Sequence, residues 1–452
     1  MQRMKHAEAV LTACLVLVVA IAAAISAEET PPATGRVIVN LHGHCSAFEG
    51  VADDGRASIE TMAAVYAGAG YKSWFWTPHS SLASGKPETC GLFDAVASRF
   101  PRDISGLNVQ LGLEYTVKPG PNFRTIAGYP NNNHLGFLGI RRAIPDQLPF
   151  RSAVEAAHAQ AGIVVIHHPG PGPSEWEEDY WQRPDIAELA DGLECYNGAL
   201  CAIGRFEEAA YRAAADGGAL LFAAGSTDAH EEKGPFGAAT VVYANSTRWE
   251  DIERAFRSRR TVAVYGFSEV LPKSVARIGE RIVGEEDVRL SIEFDIEPDS
   301  ISLFAGQNLY REWKGFKTAE IRVSGQSEEA WSWTYRKGKS RGQTSAIWVV
   351  PKAESLPNFR AILDGNEFIV ENTGSVSGTC TINFLSAPSG CGGRELGTRS
   401  LEIASGSRIK LPDVPEGTAC VVCNSGGYDL DSVTRPARES DYRDNAAWRI
   451  GK

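Results

Sequence analysis

No block of basic residues and no basic-aromatic stripe occurs in this chain of 452 residues, in which Lys and Arg number 45 against 56 Asp and Glu, a formal net charge of −11. That balance argues against nucleic acid as the main partner, because a phosphate backbone is met by clustered cations. No internal repeat is present. Beyond the N-terminal residues no uncharged apolar run approaches the ~20 residues that span a bilayer, so no stable membrane span is expected in the mature chain. The remaining composition is globular, 43% hydrophobic and 22% charged, and the length predicts two or three domains.

The N-terminal run is of a different kind. Arg3 and Lys5 precede an uncharged apolar stretch, Ala9 to Ala27, that ends in small residues before Glu28-Glu29-Thr30. This pattern predicts a secretory signal peptide over residues 1–27, a linker over 28–35, and an exported protein, periplasmic or secreted. An uncleaved anchor is the rival reading, weakened by the many alanines. Eight cysteines remain after the signal, an even number that in an exported chain predicts disulfides. Cys195 is expected to pair with Cys201, and Cys380 and Cys391 each with one of Cys420 and Cys423. The last two are three apart in a strand and face opposite ways. A zinc knot built from those four is less favoured in an exported chain.

From residue 36 to about 268 short apolar runs alternate with helical stretches, which predicts a mostly parallel α/β fold. Val37–Asn40, Tyr71–Trp76, Asn108–Thr116, Asn133–Ile140, Gly162–Ile166, Leu193–Asn197 and Ala219–Ala224 are the strands. Ser58–Ala69, Ser152–Gln160 and Phe206–Ala215 are helices between them. Past about Ser268 helical periodicity fades and alternating runs such as Val288–Ile296 predict a β-sandwich-like domain over 269–433, followed by a charged tail over 434–452.

His42 and His44 are two apart at the end of the first strand, so their imidazoles share one side. Asp228 and His230 repeat the spacing. Nearly every other histidine also falls at a strand end, which in a parallel α/β barrel is where an active site lies. His158, in a run of alanines, is the exception and is expected at the surface. Cys45 alternates with His44 and should face away.

Taken together, the segments resemble the polymerase-and-histidinol-phosphatase (PHP) superfamily of metal-dependent hydrolases. They occur in the family's order: His42-x-His44 with Glu49-Gly50, Thr77-Pro78-His79, Gly112-Leu-Glu114, His134-Leu-Gly, His168-Pro169, Glu194-Cys-Tyr-Asn197 and Asp228-Ala-His230. The resemblance covers residues 36–268 and implies a distorted seven-stranded (β/α) PHP barrel with two or three divalent metal ions at its mouth. It implies one ion on His42, His44, Glu114 and Asp228, a second on Glu114, His134 and His168, and a third on Glu49, His79 and His230. Pro78 stands where the family has an acidic residue, and Thr227 is an insertion in the last motif.

Mixed imidazole and carboxylate ligands suit zinc, manganese or iron. Such ions acidify bound water towards ~7, so the implied activity is metal-dependent hydrolysis of an ester, with Asp228 and Glu114 central. The positive charge of the ions favours a small anionic substrate, a phosphoester first. A carboxyl or carbamate ester hydrolase, or a secreted binding protein with a scaffold barrel, are the alternatives.

Overall fold

The computed structural model describes residues 35–84, 87–117, 134–146, 148, 150–169, 189–202, 204–234, 236–267, 270–325, 329–350, 359–364, 367–372, 377–385, 395–418, 420–424 and 446–448. The expected signal peptide lies outside the described residues. No helix among the described residues is long and apolar enough to cross a membrane.

Ten strands build the first part: β1 (Val37–Asn40), β2 (Ser73–Trp76), β3 (Arg102–Ile104), β4 (Leu107–Thr116), β5 (His134–Leu138), β6 (Ile163–Ile166), β7 (Gly192–Asn197), β8 (Phe222–Ser226), β9 (Ala238–Val242) and β10 (Thr261–Tyr265). Their order in the sheet is β10-β9-β1-β2-β4-β5-β6-β7-β8, with β3 on the side of β4. β1, β2 and β4 run parallel, as do β6, β7 and β8; β5, β9 and β10 are reversed against their neighbours. The fold is thus a mixed α/β curl, not a uniformly parallel barrel. β8 meets β9 and β10 through threonines: Gly225 N donates to Thr240 Oγ1 at 2.9 Å, and Thr261 Oγ1 donates to Ala223 O at 2.7 Å.

The alternation along each strand explains the layers. Trp74 and Trp76 of β2 belong to the large outer core while Phe75 belongs to the inner one. The inner core gathers Val39, Phe75, Leu138, Val165, Phe222, Ala224 and Val242 from six strands, and Ile252 and Phe256 of the helix Trp249–Arg257 close one end of it. Such runs, apolar on both faces, are what strands covered on two sides require. The helix Ile59–Gly68 begins where Ser58 Oγ accepts from Thr61 N at 3.2 Å, satisfying one of the first-turn amides.

The expected boundary near residue 268 is not where the sheet ends. The strand Ser340–Thr344 pairs antiparallel with β10, Val262 opposite Thr344, so the strands Ser300–Ala305, Asn308–Lys314, Glu329–Lys337, Ser340–Thr344 and Ile347–Val350 extend the barrel's own sheet, while Pro272–Val275, Asp287–Phe294 and Thr318–Ser324 form a separate three-stranded sheet on the same large core. Pairing across sequence-distant strands is invisible to local periodicity. A separate core begins at Phe359, where Phe368, Val370, Ile382, Phe384, Ile403 and Val421 pack between a three-stranded and a four-stranded sheet. This sandwich-like unit includes Ala446–Trp448, placed in the tail by sequence, which pairs with the strand Cys420–Asn424.

The predicted Cys195–Cys201 disulfide is not formed: both thiols are free and buried. Cys195 faces the outer core from β7, and Cys201 sits on the helical turn Gly198–Ala202 that follows. Of the predicted pairing of Cys380 and Cys391 with Cys420 and Cys423, Cys380 is buried in the sandwich core, and the side chains of the other three lie outside the described residues.

Candidate metal centre

The chain leaves β1 through Leu41 and presents His42 and His44 to the same point. Glu114, near the end of β4, lies between them: His42 Nε2 is 3.0 Å from its Oε1 and His44 Nε2 is 3.2 Å from its Oε2. Gly43 is glycine for a steric reason, since a Cβ there would lie 2.4 Å from Tyr66 Oη and 2.8 Å from Asn40 Nδ2. Asn40 and Thr227 then fix the loop, with Asn40 Nδ2 donating to His42 O at 2.9 Å and Thr227 N donating to Asn40 Oδ1 at 2.9 Å. Thr227, an insertion in the sequence motif, also meets the Tyr66 hydroxyl at 2.7 Å. Its role is to brace the His42 loop.

The other strand ends deliver the remaining side chains. His134 Nδ1 is 2.6 Å and His168 Nε2 3.1 Å from Glu114 Oε1, and His79 Nδ1 is 3.1 Å from Oε2. Asp228, at φ 52°, sets Oδ1 3.3 Å from His42 Nε2 and 3.4 Å from His44 Nε2. His230 stacks on His44 at 4.1 Å between centroids. Eight of the nine residues implied as ligands therefore converge: His42, His44, His79, Glu114, His134, His168, Asp228 and His230.

Glu49 does not. It sits at φ 51° in the turn between Phe48 and Val51 and is ion-paired with Arg99 and, at 3.4 Å, with Arg102. The carboxylate at the cluster is Asp54, 3.3 Å from His230 Nε2 and 3.5 Å from His79 Nε2. The turn swings Glu49 outward and the next stretch of loop brings Asp54 back. The acidic pair Asp53-Asp54 before Gly55 was the sequence signal for it.

Three more residues join that the sequence reading did not assign. Asp53 accepts from His44 Nδ1 at 3.0 Å, from Trp76 Nε1 at 2.8 Å and from Cys45 N at 3.1 Å. Glu194 faces His42 Nδ1 at 3.4 Å, takes His168 N at 2.7 Å and is bonded to Ser226 Oγ. Carboxylates on both Nδ1 atoms leave the two Nε2 atoms as the ligand-facing nitrogens, the usual support of a metal-bound imidazole. His167 is the third. It stacks on His42 at 3.8 Å and groups with His42 and Glu194. The backbone of His168 at φ 30° turns the chain so that both neighbouring histidines face inward. Gly136 lies beneath His167, where a Cβ would be 2.2 Å from its Nε2. Gly136→Ala is therefore expected to lower stability by about 1–3 kcal/mol, read as a lower urea midpoint; an unchanged midpoint would show that His167 moves aside freely.

The electrostatics suit a cation. Burial opposes charge on Glu114, yet His134, His42 and His79 hold it well below the usual carboxylate range. Burial likewise opposes protonation of His42, and Asp228 and Glu114 outweigh it. His134 is instead pushed down to about 4 by burial, against the pull of Glu114, and is a neutral lone-pair donor at pH 7. His42 Nε2, His44 Nε2 and Glu114 Oε2 are buried with no hydrogen-bond partner despite their short separations. Buried polar atoms are rarely left so. Atoms aimed at a shared point rather than at one another fit a metal ion, and the donor set of imidazole and carboxylate is one that divalent metals take.

Fold and site together define an α/β curl with a metal-competent histidine-carboxylate centre at the strand ends. No family model and no curated protein matches the chain. Solved structures do. One is a two-domain protein from Bacteroides vulgatus ATCC 8482 described as containing a predicted PHP-like metal-dependent phosphoesterase. It is 17% identical over 82% of this chain and 95% of that one, with a TM-score of 0.38. PsfC from Pseudomonas syringae PB-5123 is 14% identical over 50% of this chain and 90% of its own, TM-score 0.37. The lesion-specific endonuclease PfuEndoQ from Pyrococcus furiosus is 14% identical over 49% and 56%, TM-score 0.34. These likenesses are too distant to bear on activity. The chain's own motifs converge as their resemblance to the PHP superfamily implies, Glu49 excepted, and β structure is added beyond them.

Proposed function

We propose that this protein is a metal-dependent hydrolase of the PHP kind, acting on a small anionic phosphoester. The observation that carries the proposal is the set of buried, partnerless ligand atoms on His42, His44 and Glu114, surrounded by further imidazoles and carboxylates within ligand reach. His42, His44, Glu114 and Asp228 would hold one divalent ion, Glu114 with His134 and His168 a second, and Asp54 with His79 and His230 a third. Bound ions of this type supply Lewis acidity and acidify water towards ~7. The protein's own part is to orient. Asp53 and Glu194 set the tautomers of His44 and His42, and Asn197 Nδ2 donates to Asp228 Oδ2 at 3.2 Å and to Glu194 Oε2 at 3.1 Å. The charge of such ions exceeds that of their ligand carboxylates, which favours an anionic substrate. Export rests on residues 1–27 alone.

Metal analysis of the purified mature protein, joined to a screen of phosphomonoesters, phosphodiesters and carboxyl esters, tests this. Two or three ions per chain and chelator-sensitive phosphoester turnover are expected. Preference for a carboxyl ester would replace the substrate class. Absence of both metal and turnover would leave a binding protein.

A further inference from the structure

A cleft of about 950 Å³ opens at the end of the curl opposite the histidines. Tyr243, Ala244 and Asn245 of its wall follow β9, whose Val242 pairs with Val37 at the start of β1, and Arg259 and Arg260 immediately precede β10. His42 and His44 lie past the other end of β1. At ~3.3 Å per strand residue the two sites are on the order of 15 Å or more apart.

Five cationic side chains line the cleft, Arg254, Arg259, Arg260, Lys273 and Arg277, against two carboxylates, Asp251 and Glu280. Both carboxylates are engaged. Asp251 accepts from Ser246 Oγ at 2.5 Å and lies 3.4 Å from Arg254 Nη1 and 3.6 Å from Arg248 Nη2. Glu280 is held by Arg277 Nε at 2.8 Å. Arg277 also takes Glu285, and Lys273 takes Glu293, each pair at its shortest 2.7 and 2.8 Å. Arg259 is fixed as an oriented group, its Nε donating to Gly279 O at 2.9 Å and its guanidinium 5.6 Å from the Trp348 ring.

Arg260 differs from all of these. Its backbone is pinned, Arg260 N donating to Ala255 O at 2.8 Å and its carbonyl accepting from Tyr243 N at 3.0 Å. It is half-buried, and among the described residues no carboxylate lies within ion-pair distance of it. The acidic group that acts on it is Glu280, which Arg277 already holds, and a partly desolvated guanidinium short of counter-charge is costly. Its planar fork of donors matches the oxygens of a phosphate or carboxylate.

We infer that this cleft binds an oxyanion-bearing small molecule of the phosphate class, with Arg260 as the central donor and Arg254 and Arg259 beside it. The volume falls in the range of small-molecule sites, ~300–1,000 Å³. The inference does not depend on the hydrolase proposal, since none of these residues belongs to the histidine cluster.

The test is calorimetric titration of the full metal-loaded chain with inorganic phosphate at low ionic strength. A binding component is expected that persists in Asp228→Asn, where the histidine cluster is altered, and that weakens about tenfold or more in Arg260→Gln. Arg254→Gln, at an exposed position, should weaken the same component several-fold and decides the matter if Arg260→Gln does not fold. If no component survives in Asp228→Asn, or if Arg260→Gln and Arg254→Gln titrate like the wild type, the inference is wrong.

Discussion

Asp228→Asn is expected to lower kcat/KM on any ester substrate at least about 100-fold while leaving the protein folded. Asp228 Oδ1 lies within 3.4 Å of both His42 Nε2 and His44 Nε2, so the substitution removes a negative charge from the point on which those nitrogens converge. Supporting groups alone are worth ~10–100-fold in metal affinity or activity, and a residue that faces the ion should exceed that. The fold has no reason to fail. Asparagine tolerates the left-handed backbone that Asp228 adopts, and its amide oxygen can still accept from Asn197 Nδ2. Steady-state kinetics, metal content and circular dichroism read the three parts separately. Wild-type turnover and wild-type metal content in this variant would remove Asp228 from the centre.

Asp54→Asn should remove about one ion per chain and most of the activity, whereas Glu49→Gln should change neither. The sequence resemblance implied the reverse. The geometry gives Asp54 to His79 and His230 and gives Glu49 to Arg99 and Arg102. Burial works against ionisation of Asp54, but His230 and His79 keep it well below the usual carboxylate range, so it is an anion ready for a cation at neutral pH. Neutralising it removes the only carboxylate proposed for that ion and leaves the imidazoles of His79 and His230, which hold a hard divalent ion less well. His42, His44, Glu114 and Asp228 are untouched, so the remaining ions should stay. Plasma emission spectrometry on the two variants distinguishes the cases. Loss of an ion from Glu49→Gln, with none lost from Asp54→Asn, would restore the sequence-based assignment.

The sequence by itself determined the parts of this centre that depend on strand period. Residues two apart near a strand end share a side, and that rule anticipated the pairing of His42 with His44; the same spacing pointed to Asp228 and His230, although Asp228 reaches the centre from a left-handed backbone. The alternation of apolar runs and helical stretches likewise marked β1, β2, β4, β6 and β7 and the helices between them, because burial on two faces leaves a local trace. Three things were left to the tertiary structure. The choice of Asp54 over Glu49 is made in a loop, where no period fixes direction and a single turn at Glu49 reverses it. The inward position of His167 beside His168 comes from one backbone angle. The continuation of the barrel sheet through Ser340–Thr344 onto β10 joins segments some eighty residues apart in sequence. Each of these is a contact between distant parts of the chain or a dihedral in irregular backbone, and neither leaves a pattern in neighbouring residues.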